Sequence, residues 1–206
     1  MCTRYWINKA DPAIDQIIKE MQRSPLINRF LHKQASPILS SGEIHPTDVV
    51  PVIAPDKNGS RAVYPMKWGY RLDTKYPLFN ARSETASEKP LFKEDWNRHR
   101  CIVPASYYFE WSHAPEGEGS KSAREKYAIQ PENSTMTWLC GLYHINDGLP
   151  YFVILTREPV GELVNLHDRM PLILPENKIA DWIWPENDPT KLLPFALTNM
   201  VMEKAE

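Results

Sequence analysis

The sequence predicts an α+β fold in one domain spanning residues 1–206, with mostly antiparallel strands. Three observations predict it. Short β-branched and aromatic runs recur from residue 44 to residue 156, each broken by turn residues. Helical periodicity is confined to a few short segments near the two ends and one in the middle. The 19 prolines exceed average usage, which argues against long helices and for many turns.

Asp11-Pro12 opens the first helix, with Asp11 as N-cap and Pro12 in the first turn; Ile14, Ile17, Ile18 and Met21 follow at helical spacing. Ser24-Pro25 restarts the pattern, and Ile27, Phe30 and Leu31 form a second apolar face. Val49 to Ile53 and Arg61 to Trp68 read as strands joined by a turn over Asp56 to Ser60. Lys89 to Trp96 reads as a short helix. Strand candidates follow at Cys101–Val103, Tyr107–Trp111, Lys126–Gln130, Met136–Tyr143 and Tyr151–Thr156. Ser112 to Arg124, rich in Gly, Ser, Glu and Lys, reads as an exposed loop. Pro159 to Asn165 is a helix candidate leading into His167, Leu172 to Leu174 is a short apolar run, and Glu176 to Trp184 reads as helical. No internal repeat and no dividing linker is visible.

Composition narrows the function. Hydrophobic residues make up 42% and charged residues 24%, as in an ordinary soluble globular chain. The net charge of −2 excludes indiscriminate coating of nucleic acid, so any such contact must come from a local cluster of Arg and Lys. The three cysteines, at 2, 101 and 140, are too few and odd in number for a disulfide framework, which points to a reducing cytoplasm. Cys101 and Cys140 lie in apolar surroundings and read as core. No apolar run is long enough for a membrane span, and the N-terminus lacks signal-peptide character. Without Cys-x-x-Cys or His-Glu-x-x-His spacing, neither a metal nor another cofactor is expected.

Four positions carry candidate chemistry, each beside a plainer reading. Cys2 becomes an N-terminal 1,2-aminothiol if Met1 is removed. Its amine can form an imine with an aldehyde, and its thiol can then close a five-membered thiazolidine. A free α-amine has a pKa of about 7.7 to 8.0 and is partly nucleophilic at neutral pH. By position alone, Cys2 is more often incidental. Asn80 can hold the amine or thiol of a nucleophile, with Arg82 as a bidentate phosphate ligand; the plainer reading is a turn Asn before an N-cap at Ser83. Glu110 lies in an aromatic run, where burial would raise its pKa toward proton-transfer range; otherwise it faces outward on an alternating strand. His167, in Leu166-His167-Asp168-Arg169-Met170-Pro171, is a proton shuttle or a structural histidine.

Taken in order, Cys2, Ile44 to Thr47, Trp68-Gly69, Asn80 to Thr85, Arg100 to Trp111 and His167 to Leu174 resemble the SRAP family (SOS-response-associated peptidase-like proteins). The resemblance spans nearly the whole chain, and Asn-Ala-Arg-Ser-Glu-Thr and His-Asp-Arg-Met-Pro are its most specific pieces. It implies a β-barrel-like core with flanking short helices and a positively lined cleft for single-stranded DNA containing abasic sites. It also implies a covalent thiazolidine link through Cys2, formed by a monomer that joins the nucleoid when bound to DNA. Asn80 would position the amine, Glu110 would assist proton transfers, and His167 would support sugar opening or imine chemistry. Arg4, Arg82 and Arg169 would lie near phosphates. Trp68 would offer a stacking face, worth about 1 to 3 kcal/mol per base in single-strand binders. Thr3 and Tyr107 stand where the family usually has Gly, so Thr3 is expected to alter the presentation of Cys2 and Tyr107 to thicken the wall beside Glu110. Two other functions fit the residue types: a cysteine autopeptidase or hydrolase built from Cys2, His167 and Asn80, and a noncatalytic single-strand binder.

Overall fold

Helical and extended segments alternate along the chain in an order that closes one sheet on itself. The computed structural model describes residues 2–34, 37–72, 76–112 and 124–205. In chain order the elements are β1 (Tyr5–Ile7), α1 (Pro12–Gln22), α2 (Leu26–Gln34), β2 (Gly42–Ile44), β3 (Val49–Pro55), β4 (Arg61–Trp68), β5 (Asn80–Arg82), α3 (Pro90–Arg98), β6 (Arg100–Ala105), β7 (Tyr107–Trp111), β8 (Lys126–Pro131), β9 (Thr137–Asn146), β10 (Leu149–Arg157), β11 (Met170–Pro171), α4 (Ile179–Ile183) and β12 (Met200–Lys204).

The ring β3–β4–β10–β9–β6, with β6 paired back to β3, is a five-stranded barrel. Strands β3, β6 and β10 are buried nearly throughout, as continuous apolar runs such as Val-Val-Pro-Val-Ile-Ala predict. The barrel tolerates proline because Pro51 and Pro65 face each other across β3 and β4. Each lacks its N–H beside a seam of sparse pairing: β3 meets β6 at Ile53 alone, and β4 meets β10 at Lys67 and Trp68 alone. On the opposite side Gly141 permits close approach. A Cβ there would sit 2.8 Å from the Val153 carbonyl oxygen and 2.9 Å from the Cys101 sulfur.

A second sheet, β12-β8-β7-β1-β2, is antiparallel throughout. Ser106 joins the two sheets. Its N–H donates to the Trp6 carbonyl, its hydroxyl oxygen accepts from Asn8 N–H, and its carbonyl accepts from the Thr137 hydroxyl. The predicted N-cap is present, with the Asp11 carboxylate accepting from Ala13 and Ile14, and the four predicted apolar residues of α1 are buried. The barrel, the flanking helices and the mostly antiparallel strands agree with the sequence expectation; the parallel exceptions are β10 with β4 and β10 with β5.

Three local expectations change. Pro159 to Asn165 forms 3-10 turns at Gly161–Asn165, entered by Gly161 at φ +58°, and not an α-helix. The apolar run 172–174 lies outside the strand proper, Met170–Pro171, but bonds to both neighbours: the Leu172 N–H donates to the Leu155 carbonyl, the Leu172 carbonyl accepts from the Cys140 N–H, and Ile173 forms an isolated bridge to Leu139. Glu176 to Trp184 begins as a 3-10 turn and becomes α-helical only at Ile179. Most of the predicted loop over Ser112 to Arg124 lies outside the described residues.

Candidate functional site around Cys2

Strand β7 is the floor of the site. Its alternation places Tyr108 and Glu110 on one face and Tyr107, Phe109 and Trp111 on the other. The N-terminal segment crosses this floor. The Arg4 carbonyl accepts from the Phe109 N–H at 3.0 Å and from the Cys2 thiol at 3.8 Å, a long contact suited to sulfur. That clamp sets Cys2 over β7, within electrostatic reach of Tyr108 and Glu110. Cys2 is 0% exposed. Burial, and then the nearby Glu110 charge, push its thiol well above the ordinary range, so the sulfur is protonated at neutral pH. Among the described residues the non-glycine positions with positive φ are Thr47, Asn133 and Asp147, and Thr3 is not one of them. The family's usual Gly is therefore replaced here without backbone strain.

Glu110 is 4% exposed, and burial raises its carboxyl to about 7. The outward-facing alternative is thus excluded. Its Oε2 lies 3.7 Å from Nε2 of His167, close enough for charge to be felt and too long for a direct hydrogen bond. His167 follows the 3-10 turns, with its N–H donating to the Leu163 carbonyl. Its Nδ1 accepts from the Arg169 N–H at 3.1 Å, so the neutral ring carries its proton on Nε2, toward Glu110.

Asn80 enters from the barrel. Strand β5 runs parallel to β10 with Asn80 opposite Ile154, continuing the edge that β4 leaves at Trp68. Gly69, at φ +116°, turns the chain there, where a Cβ would strike the Phe79 ring at 2.8 Å. Asn80 is 8% exposed, and its side-chain oxygen has no hydrogen-bond partner among the described residues. The Cys2 thiol bonds to Arg4, not to Asn80. The structure therefore brings Cys2, Glu110 and His167 together and leaves Asn80 with an unused buried acceptor.

The expected DNA contacts fare unequally. Trp68 is 0% exposed and stacks on Phe152 at 6.0 Å, with Tyr5 and Phe79 against its remaining faces. Its indole N–H donates to the Phe79 carbonyl at 2.9 Å. Trp68 is a core residue with no exposed face, which corrects the expected stacking role; hydropathy cannot tell an inward Trp from an outward one. Arg4 pairs with Glu43 at 3.2 Å. Arg169 donates to the Glu84 carboxylate at 2.7 Å and to the Thr156 carbonyl at 2.8 Å. Arg82 is exposed at the end of β5. Tyr107 stacks on Trp6 (6.2 Å, 7°) on the face of β7 away from Glu110, where these rings, Phe109 and Lys126 line a hollow of about 410 Å³. The wall beside Glu110 is therefore not thickened by Tyr107.

Sequence reasoning missed two groups here, the hydroxyls of Tyr5 and Tyr108. Both are buried, and neither has a hydrogen-bond partner among the described residues. The two-residue spacing of Tyr108 and Glu110 was the available signal.

A barrel flanked by short helices, with Cys2 clamped near a buried Glu110 and a half-buried His167, defines a class of protein. The chain belongs to that class: it matches the model of the SOS response associated peptidase (SRAP) family over residues 1–205. Among its relatives, the abasic site processing protein YoqW of Bacillus subtilis is 32% identical over 172 residues, covering 75% of this chain and 74% of the relative. YoaM of Bacillus subtilis, of the same description, is 29% identical over 198 residues, covering 91% and 81%. A crystal structure of a protein from Bacteroides thetaiotaomicron shares the fold, with a TM-score of 0.73 at 18% identity over 100% of this chain and 92% of that one. A phage-related protein from Bordetella bronchiseptica gives 0.71 at 20% identity, over 100% and 94%.

Proposed function

We propose that this chain binds single-stranded DNA containing abasic sites and links itself to the ring-opened sugar through Cys2 once Met1 has been removed. The observation that carries the proposal is the clamp at Arg4, which holds the Cys2 thiol over β7 beside Glu110 and His167. Family membership and relatives described as abasic site processing proteins support the same substrate.

The protonation states suit an order of events. A thiol kept protonated by burial does not attack first, so the α-amine adds to the sugar aldehyde. The nitrogen gives one proton to Glu110, and the former carbonyl oxygen takes one from solvent, forming a carbinolamine. Glu110 then returns its proton to that hydroxyl, which leaves as water, and an iminium remains. The sulfur bonds to the iminium carbon as its proton passes to Glu110, closing the thiazolidine. A carboxyl titrating near 7 can both take and give protons at neutral pH. His167, with its Nε2 proton toward Glu110, supports sugar opening; Asn80 offers its unused oxygen to the incoming amine; Arg82 holds a phosphate.

A hydrolase of Cys2, Asn80 and His167 receives less support, because the thiol bonds to a backbone carbonyl and His167 faces Glu110. A noncatalytic binder loses its stacking platform with Trp68 buried. The test is a denaturing gel after incubation of Met1-free protein with abasic single-stranded DNA. A heat-resistant shifted band is expected, and it should vanish when methionine removal is blocked. No band with the processed protein would sink the proposal.

A further inference from the structure

A buried hydroxyl without a partner destabilises a fold, and native proteins keep few of them. Tyr5 and Tyr108 are both 0% exposed, and both hydroxyls lack a hydrogen-bond partner among the described residues. The two residues are directly opposed across β1 and β7, so their rings share one face of the sheet. Glu110, two residues along β7, stands on that same face. The Cys2 thiol donates to the Arg4 carbonyl, which also accepts from the Phe109 N–H, and the thiol lies within electrostatic reach of both Tyr108 and Glu110. Tyr5 packs against Trp68 and is also within electrostatic reach of Asp48. The ionisable groups within reach of Tyr108 are Cys2 and Glu110. The Tyr108 O–H is thus a donor without an acceptor, beside the thiol that the proposed reaction uses.

We propose that Tyr108 is a further catalytic residue, whose hydroxyl donates a hydrogen bond to the aldehyde oxygen of the substrate. This rests on the abasic-site reading above. As the Cys2 nitrogen bonds to the aldehyde carbon, the carbonyl π pair moves onto oxygen, and negative charge develops there in a water-poor site. A donor fixed in advance stabilises that charge without reorganising. Tyr108 keeps its proton throughout. The oxygen first takes a proton from solvent, and the proton that Glu110 took from nitrogen later lets it leave as water.

Tyr108→Phe removes only the hydroxyl and keeps the ring, so the core survives. Wild type and Y108F, both freed of Met1, are compared by the rate of gel-resolved crosslinking to abasic single-stranded DNA from about pH 5.5 to 8.5, and by urea unfolding. The expected result is an unfolding midpoint no lower than that of wild type, with crosslinking slower on the order of 100-fold at every pH. Because Glu110 sets the proton transfers, the pH profile should keep its shape. An unchanged rate in Y108F, with wild type active, overturns the role of Tyr108 and leaves the abasic-site reading standing. A lowered unfolding midpoint shows that the hydroxyl has a structural partner and also overturns it. Wild type that forms no crosslink overturns the abasic-site reading itself, and this inference with it.

Discussion

Two buried polar constellations in this chain are built on opposite terms. Around Arg100, which is 0% exposed, every guanidinium nitrogen is used. Its Nε donates to the Trp182 carbonyl at 2.7 Å, Nη1 to Trp96 and Asn97 at 2.8 and 2.6 Å, and Nη2 to Asn187 at 3.0 Å and to Trp184. The cation ties the C-terminal end of α3 to α4 and the chain just beyond it. Burial lowers its pKa to about 10, so it remains charged at neutral pH. Around Cys2, by contrast, the Tyr5 and Tyr108 hydroxyls have no partners among the described residues, and Glu110 is held near its titration point. A satisfied network stabilises one structure. An unsatisfied one destabilises the resting fold and gains its partners when a ligand enters. Buried polarity alone does not mark a site; buried polarity left unpaired does.

The comparison predicts effects of opposite kind. The largest is at Cys2. Cys2→Ala should leave no heat-resistant DNA adduct while the thermal midpoint stays close to that of wild type, and an adduct surviving the change would remove Cys2 from the chemistry. Next is Arg100→Met, which strands five carbonyls and should cost about 3 to 5 kcal/mol in urea unfolding. In conditions where the variant is folded, its crosslinking rate should match wild type. A cost below about 1 kcal/mol would mean that the carbonyls find other donors.

Smaller in stability, and opposite in sign, is Glu110→Gln. The folded-state pKa of Glu110, about 7, lies above its ordinary 4.5. Its contribution to stability is therefore fully present below about pH 4.5 and is lost as pH rises through 7. E110Q should be more stable than wild type by up to about 3 kcal/mol near pH 8, with the difference vanishing near pH 4. Its crosslinking should slow on the order of 100-fold. Equal stability of the two proteins at both pH values would show that Glu110 titrates normally.

What the sequence disclosed follows from the range of each interaction. The Asp11 cap and the Ile14, Ile17, Ile18 and Met21 face depend on residues within one or two turns, and they were legible. The barrel strands were legible from β-branched runs, whereas their closure through β10 and β9 was expected only from family resemblance. Burial of Glu110 was suggested by its aromatic flanks. Arg100 could not be read, because three of its acceptors are carbonyls 82 to 87 residues away and carbonyls leave no mark in a sequence. The face of Trp68 was not legible, because it is decided by Tyr5, Phe79 and Phe152, brought together only by the fold. The Tyr108 hydroxyl was not legible either, because lacking a partner is a property of three dimensions.

The most direct test of the central claim is the intact mass of the adduct between Met1-free protein and an abasic oligonucleotide, before and after borohydride. A thiazolidine predicts the sum of the two masses less one water, unchanged by the reductant and absent in Cys2→Ala. An adduct that gains two hydrogens on reduction would be an open imine. That result would contradict an account in which the Cys2 thiol, clamped over β7, closes the ring.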